Sequence, residues 1–316
     1  MRRSIADTKV EVTRLIAPHH VNPLGTLYGG YMLHWLVDAG SIVATDLAEA
    51  NVALGYLDRM HFVEPIRVGD IVKFRSWVVY VRRSSITVLV ESYVKRGDKM
   101  PLATIARMIF VKLGEDGRPE PVGAEVYAQS EWERLLLSHF SEWRNSMEHL
   151  LREERPAGDL PTLGHLLVMP EDTIYGNIMY GGKLLYYLDQ LAAIAAMNFK
   201  PNIYVTASVN SINFRRPILV GDVIEVQADV DYVGRTSLEV AFKVYAKGTR
   251  GRRYVAGGYM TFVNMTGGRP TPLGEELIKD PDALRRKEIG VAEAKALRAV
   301  YYSEEEPAYA AMLRRS

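Results

Sequence analysis

The chain has 316 residues, and half of that is already a comfortable size for one compact domain. It is 48% hydrophobic and 24% charged, and 39 Lys+Arg against 38 Asp+Glu leave a formal charge of +1, too even for a general nucleic-acid or membrane-surface binder. No run of about 18 apolar residues is present to span a bilayer, and the absence of cysteine excludes disulfides, thiolate nucleophiles and Cys-based zinc sites. The seven histidines show no ligand spacing, so no metal is expected.

In chain order, Met1-Arg2-Arg3-Ser4-Ile5-Ala6-Asp7 soon meets acidic residues and lacks the apolar core of a secretory leader, so a cytoplasmic protein is expected. Asn22-Pro23, a common turn pair, leads to Tyr28-Gly29-Gly30. Met32, Leu33, Leu36, Val37, Ile42 and Val43 then recur at helical spacing and predict a buried helix. Segments rich in Val, Ile, Tyr and Phe follow, punctuated by Pro65-Ile66-Arg67-Val68-Gly69-Asp70; they read as short antiparallel strands in series. Ser130-Glu131-Trp132-Glu133 is a capping box that opens a helix. Trp132, Leu135, Leu136, Phe140, Trp143, Met147 and Leu151 give that helix one apolar stripe, and Pro156-Ala157-Gly158 ends it. It reads as a connector packed against a domain.

Beyond the connector the pattern starts again. Tyr180-Gly181-Gly182 opens a helix carrying Leu184, Leu185, Leu188, Leu191, Ala192 and Ala195. Leu238, Val240, Phe242, Val244 and Ala246 alternate with Glu239, Lys243 and Lys247, as in a half-buried strand with a wet outer face. Phe62 to Asp70 returns as Phe214 to Asp222, an offset of 152 residues (214 minus 62), and the two Tyr-Gly-Gly triplets share that offset. Over positions 62–95, 14 residues equal their counterparts without a gap, where chance gives roughly 2. The chain is a tandem duplication. The expected division is a first domain over 1–122, a connecting helix and linker over 123–160, a second domain over 161–268 and an extension over 269–316. In the extension, Asp282 to Lys287 and Glu293 to Tyr302 look like exposed helices without chemistry.

Asn22-Pro23-Leu24-Gly25-Thr26-Leu27-Tyr28-Gly29-Gly30, leading into a buried helix with an acid near its second turn, resembles the hotdog-fold acyl-CoA thioesterases. Pro170 through Gly181-Gly182 to Asp189, the Pro-x-x-Val-Gly-Asp turns, and the Arg83-Ser84-Ser85 and Arg235-Thr236-Ser237 pieces resemble them too, over about 100 residues per half. The resemblance implies an α+β fold of two tandem hotdog domains, each an antiparallel sheet wrapped around a central helix, paired as an intrachain pseudo-dimer. It implies hydrolysis of acyl-CoA to a free acid and coenzyme A with no metal or redox cofactor. It also implies a homo-oligomer, with three two-domain chains expected. Arg83, Ser84, Arg235, Thr236 and Ser237 would contact the phosphates of coenzyme A, although a loop arginine is often simply solvated.

A helix N-terminus offers unpaired amides and partial positive charge, so Gly181 N–H is the expected oxyanion donor. In the family a carboxylate such as Asp189 acts as base or nucleophile, with an Asn from the partner repeat. Asn22 stands seven residues before Gly29, where the second half has Ile174; Asp189 stands eight after Gly181, where the first half has Val37. The two losses should therefore meet in one dead site (Ile174, Gly29, Val37) and leave one complete site (Asn22, Gly181, Asp189). Asp38, next to Val37, is the alternative acid for a second site. The Gly-Gly pairs would also suit close helix packing alone. Two rival functions remain: a non-catalytic acyl-CoA sensor or scaffold, and enoyl-CoA hydration. Hydratases of that type resemble Asp-x-Asn-Pro-x-His, and here Gly25 stands where their His would be.

Overall fold

The computed structural model describes residues 1–153, 156, 158–300 and 302–315, with side chains outside 148–153. Leu151's side chain, Ala157 and Tyr301, which figure in the expected connector and extension, lie outside the described residues.

Each half supplies five main strands. The first half has β1 (Val10–Leu15), β2 (Val52–Leu57), β3 (Ile71–Val81), β4 (Ser85–Val94) and β5 (Leu102–Lys112). The second has β6 (Thr162–Leu167), β7 (Ile203–Phe214), β8 (Val223–Val233), β9 (Ser237–Gly248) and β10 (Gly251–Thr266). The helices are α1 (Gly29–Ala48), α2 (Glu131–Glu153), α3 (Gly181–Phe199), α4 (Asp282–Leu297) and α5 (Ala308–Leu313). The main strands form one antiparallel sheet in the order β1-β3-β4-β5-β2-β7-β10-β9-β8-β6, with shorter strands at its margins. The halves join where Tyr56 and Leu57 of β2 pair with Asn213 and Ile212 of β7. This is the hotdog pattern twice, an antiparallel sheet around a central helix.

The strand pattern explains the curl. Leu238, Val240, Phe242, Val244 and Ala246 all point inward and are buried against the helix side. The outer face, expected to be wet, is covered instead at two points: Arg286 of α4 bonds the buried Glu239, and the buried Lys243 donates to the carbonyl of Gly158 in the linker. The two segments read as separate exposed helices are partly one helix, α4, which buries Ala283 and Leu297. α2 closes its Ser130–Glu133 capping box and buries Leu136 and Phe140 with Trp77 and Leu89 of the first half. Glu91, fully buried, accepts the N–H groups of Ala308 and Tyr309 at 3.1 and 2.8 Å and so fixes the start of α5.

α1 and α3 lie against each other inside the sheet. A Cβ on Gly30 would stand 3.0 Å from the carbonyl oxygen of Tyr186, and one on Gly182 would stand 3.2 Å from that of His34. Since 34 and 186 are one repeat apart, the contacts are mirror copies of each other, and the helices cross antiparallel about a pseudo-twofold axis. Both helices are largely buried, as their apolar spacing predicts, while Ile42 is 46% exposed and its counterpart Ile194 is 43% exposed. Among the described residues no helix is long and apolar enough to cross a membrane.

Candidate active site

Asp189 lies in the third turn of α3. Eight residues at 1.5 Å each put it about 12 Å along the axis from Gly181, out of reach of its own helix N-terminus. The antiparallel crossing brings it to the other one. Its Oδ2 accepts the N–H of Gly30 at 2.8 Å, and its Oδ1 accepts the hydroxyl of Thr206, on β7, at 2.7 Å. Gly29 faces the same carboxylate: a Cβ there would fall 2.4 Å from Thr206 Oγ1 and 2.8 Å from Asp189 Oδ1. Only glycine fits.

The carboxylate is 2% exposed. Burial pushes its pKa up to about 6, and the bonds from Thr206 and Gly30 keep it from rising further. An acid poised there is ionised at neutral pH yet still able to take up a proton, which suits a general base. The positive end of α1 favours the charged form in the same way.

Asn22 lies in the loop that feeds α1 and is 7% exposed. Its Oδ1 accepts the N–H groups of Leu24 and Thr26 at 2.9 and 3.2 Å, and its Nδ2 donates to Thr26 Oγ1 at 2.9 Å. The side chain thus folds its own turn and sets the path from Asn22 to Gly29.

The expected grouping needs a correction. Gly181 is not beside Asp189; a Cβ on Gly181 would meet Leu54 at 3.0 Å, and Gly181, Leu54 and Ile174 line one cavity. The acid therefore meets Gly29 and Gly30 of the first repeat together with Thr206 of its own, and Asn22 shapes the loop that leads to Gly29. The other helix end joins Gly181 and Ile174 of the second repeat to Leu54 of the first. Each glycine pair thus meets the opposite repeat: Gly29 and Gly30 meet Asp189, and Gly181 meets Leu54. Thr206 was missed. Its counterpart one repeat back is Leu54, so extending the comparison of copies into the strand after each helix would have exposed this third divergence.

Asp38 is held by Tyr180, which lines the same cavity as Gly181, Leu54 and Ile174. Its carboxylate accepts the Tyr180 hydroxyl at 2.7 Å, and Arg14 approaches its other oxygen at 3.6 Å. Burial and the Asp38 charge hold the Tyr180 phenol well above its usual pKa, so it stays a donor. The five residues expected to hold coenzyme A sit in the pseudo-equivalent turns β3–β4 and β8–β9. There Arg83 O accepts Val122 N–H, Ser84 O accepts Lys112 N–H, Arg235 O accepts Leu273 N–H, Thr236 O accepts Asn264 N–H and Ser237 O accepts Gly234 N–H. No hydrogen bond among the described residues joins either turn to Asp189, Asn22 or the Gly29-Gly30 helix end. Among the described residues no three His, Cys, Asp or Glu are grouped to hold a metal ion.

A thioesterase superfamily model matches residues 24–100 and 176–251, with starts one repeat apart. The chain is 34% identical over 132 residues to Protein VdlD of Helicobacter pylori, a stretch that covers 39% of this chain and 76% of that protein. It is 25% identical over 323 residues to the cytosolic acyl coenzyme A thioester hydrolase of Homo sapiens, covering 93% of this chain and 84% of that protein. A solved acyl-ACP thioesterase from Bacteroides thetaiotaomicron shares the fold at a TM-score of 0.55 and 14% identity, covering 82% of this chain and 99% of the other.

Proposed function

The chain belongs to the thioesterase superfamily, and from that premise we propose that it hydrolyses acyl-CoA thioesters to a free carboxylic acid and coenzyme A at the single site that contains Asp189. The observation that carries this reading is the buried carboxylate of one repeat bonded to the helix N-terminus of the other. A thioester carbonyl is already electrophilic, so the enzyme has two tasks: to stabilise the oxyanion and to activate water.

Gly29 N–H, which opens α1 beside Asp189, is the oxyanion donor in this reading, in place of Gly181. One such donor contributes about 3 kcal/mol to the transition state. Asp189 takes a proton from the attacking water, the water oxygen bonds to the thioester carbon, and the C–S bond breaks. The proton held on Asp189 then passes to the departing thiolate. Thr206 keeps the carboxylate aimed and ionised, and the second N–H of Asn22 Nδ2 orients the water or the carbonyl. These groups suffice without metal or redox cofactor, so turnover should survive chelation by EDTA.

Hydration of an enoyl thioester is disfavoured because Gly25 stands where the hydratase histidine would be, and the imidazole of the same loop is engaged. His20 Nδ1 accepts the N–H of Ala17 at 3.0 Å, and its ring lies against Tyr31 and Trp35. Exposed Ile42 on α1 and Ile194 and Met197 on α3 support assembly into an oligomer, with three chains expected and sedimentation as its measure. The deciding experiment is thiol release from a chain-length panel of acyl-CoAs. Asp189→Ala should abolish it while Asp38→Ala keeps most of it. The opposite pattern would overturn the assignment, and binding without turnover by the native chain would make the protein a sensor.

A further inference from the structure

The degenerate half of the pseudo-dimer is not filled in. A cavity of about 300 Å³ remains at the N-terminus of α3, at the low end of the range for small-molecule sites. Leu54, Ile174, Ile178, Met179, Leu184 and Phe214 supply apolar walls from both repeats. Tyr175 closes one side, with its hydroxyl 3.0 Å from Thr45 Oγ1 on α1. The cavity opens to solvent at Arg216, so an apolar ligand can enter and bury surface against these walls.

The substitutions that removed the chemistry all changed polarity in the same direction. Where the Asp189 site has Asn22, Asp189 and Thr206, the counterparts one repeat away are Ile174, Val37 and Leu54. Ile174 and Leu54 line the cavity and give it walls that suit a hydrocarbon chain, while Asp38, the acid next to the lining, is held by the Tyr180 hydroxyl at 2.7 Å. The rim changed as well. Arg215 and Arg216 line this cavity, whereas their counterparts one repeat back are Val63 and Glu64. Two cations at the mouth of an apolar cavity match an acyl chain that ends in an anionic head.

We propose that this cavity is a second, non-hydrolytic site, which binds the acyl chain of a fatty-acyl compound with its anionic head towards Arg215 and Arg216. The choice of ligand rests on reading the Asp189 site as an acyl-CoA hydrolase. The same chain chemistry is carried by acyl-CoA, the substrate, and by the free fatty acid, the product. Two probes separate them: S-decyl-CoA, a thioether that cannot be hydrolysed, and decanoate.

Titration calorimetry on the full chain reads the number of S-decyl-CoA molecules bound. The native chain should bind two, and Ile174→Trp, which fills the cavity, should bind one while still releasing thiol from a short acyl-CoA at the native rate. Ile178→Trp, at a partly exposed wall position, is the second blocking variant should the first fold poorly. Arg216→Glu should weaken the second binding event by about tenfold, a change set by an exposed charge. Decanoate displacing the probe from that site alone identifies the product as ligand; displacement by acyl-CoA only identifies the substrate. One molecule per native chain, or two in both tryptophan variants, overturns the proposal. Two bound molecules without any thiol release would refute the hydrolase reading and leave the second site standing.

Discussion

Thr206 tests the geometry most directly, because its only predicted role is to act on Asp189. Thr206→Ala removes the hydroxyl that Asp189 Oδ1 accepts at 2.7 Å. A hydrogen bond to a charged group is worth about 1.5–3 kcal/mol. Part of it survives when the carboxyl is protonated, so the lower end applies, and at 1.36 kcal/mol per unit the pKa rises by about one unit. Asp189 would then titrate near 7 instead of about 6. If the carboxylate is the active form, kcat/KM climbs through that limb as pH rises. At pH 7 the ionised fraction drops from roughly nine-tenths to a half, and at pH 5 it drops about tenfold. The assay is thiol release between pH 5 and 9. The variant's limb should lie about one unit higher, rates should converge at pH 9 apart from any loss of aim, and Thr206→Ser should restore the native limb. A limb unmoved by Thr206→Ala would refute the assignment of Asp189 as the titrating base.

Two further outcomes follow from packing and charge. Gly29→Ala should abolish turnover, since the new methyl would overlap Thr206 and Asp189, whereas Gly181→Ala, which crowds Leu54 Cβ at 3.0 Å away from the acid, should keep most of it; a loss of activity only in the second variant would restore Gly181 to the catalytic site. Arg286 bonds Asp280 at 2.8 Å and Asp231 at 3.2 Å and also bonds Glu239, so Arg286→Met should cost about 3–5 kcal/mol in urea unfolding at pH 8. Burial and then Glu239 push Asp231 up to about 8, so its charge costs the fold increasingly as pH rises from the ordinary carboxylate range through that value. The variant's deficit should accordingly shrink towards pH 4, and a deficit that grows on acidification would contradict the sign.

The periodicity of the strands, the helix after each Tyr-Gly-Gly and the offset of 152 residues made the duplicated fold legible, because alternation and helical spacing are local consequences of burial. The outer face of β9 was misread for the same reason: alternation marks which residues face the helix, but nothing local reveals that α4, about 45 residues later, covers Glu239. The candidate residues Asn22 and Asp189 were legible as complementary losses between copies.

Their grouping was not, and the reason is geometric. Spacing along one helix attaches Asp189 to Gly181, its sequence neighbour, whereas a side chain eight residues into a helix is carried about 12 Å from that helix's own amides. Which amides it reaches depends on how two helices cross. That crossing is set by Gly30 against the Tyr186 carbonyl and Gly182 against that of His34, contacts between residues about 150 positions apart in the chain. The sequence by itself determined that one acid and one asparagine survive. The antiparallel packing of α1 on α3 decided that the acid lies at Gly29-Gly30 beside Thr206, and that the other helix end opens onto an apolar cavity.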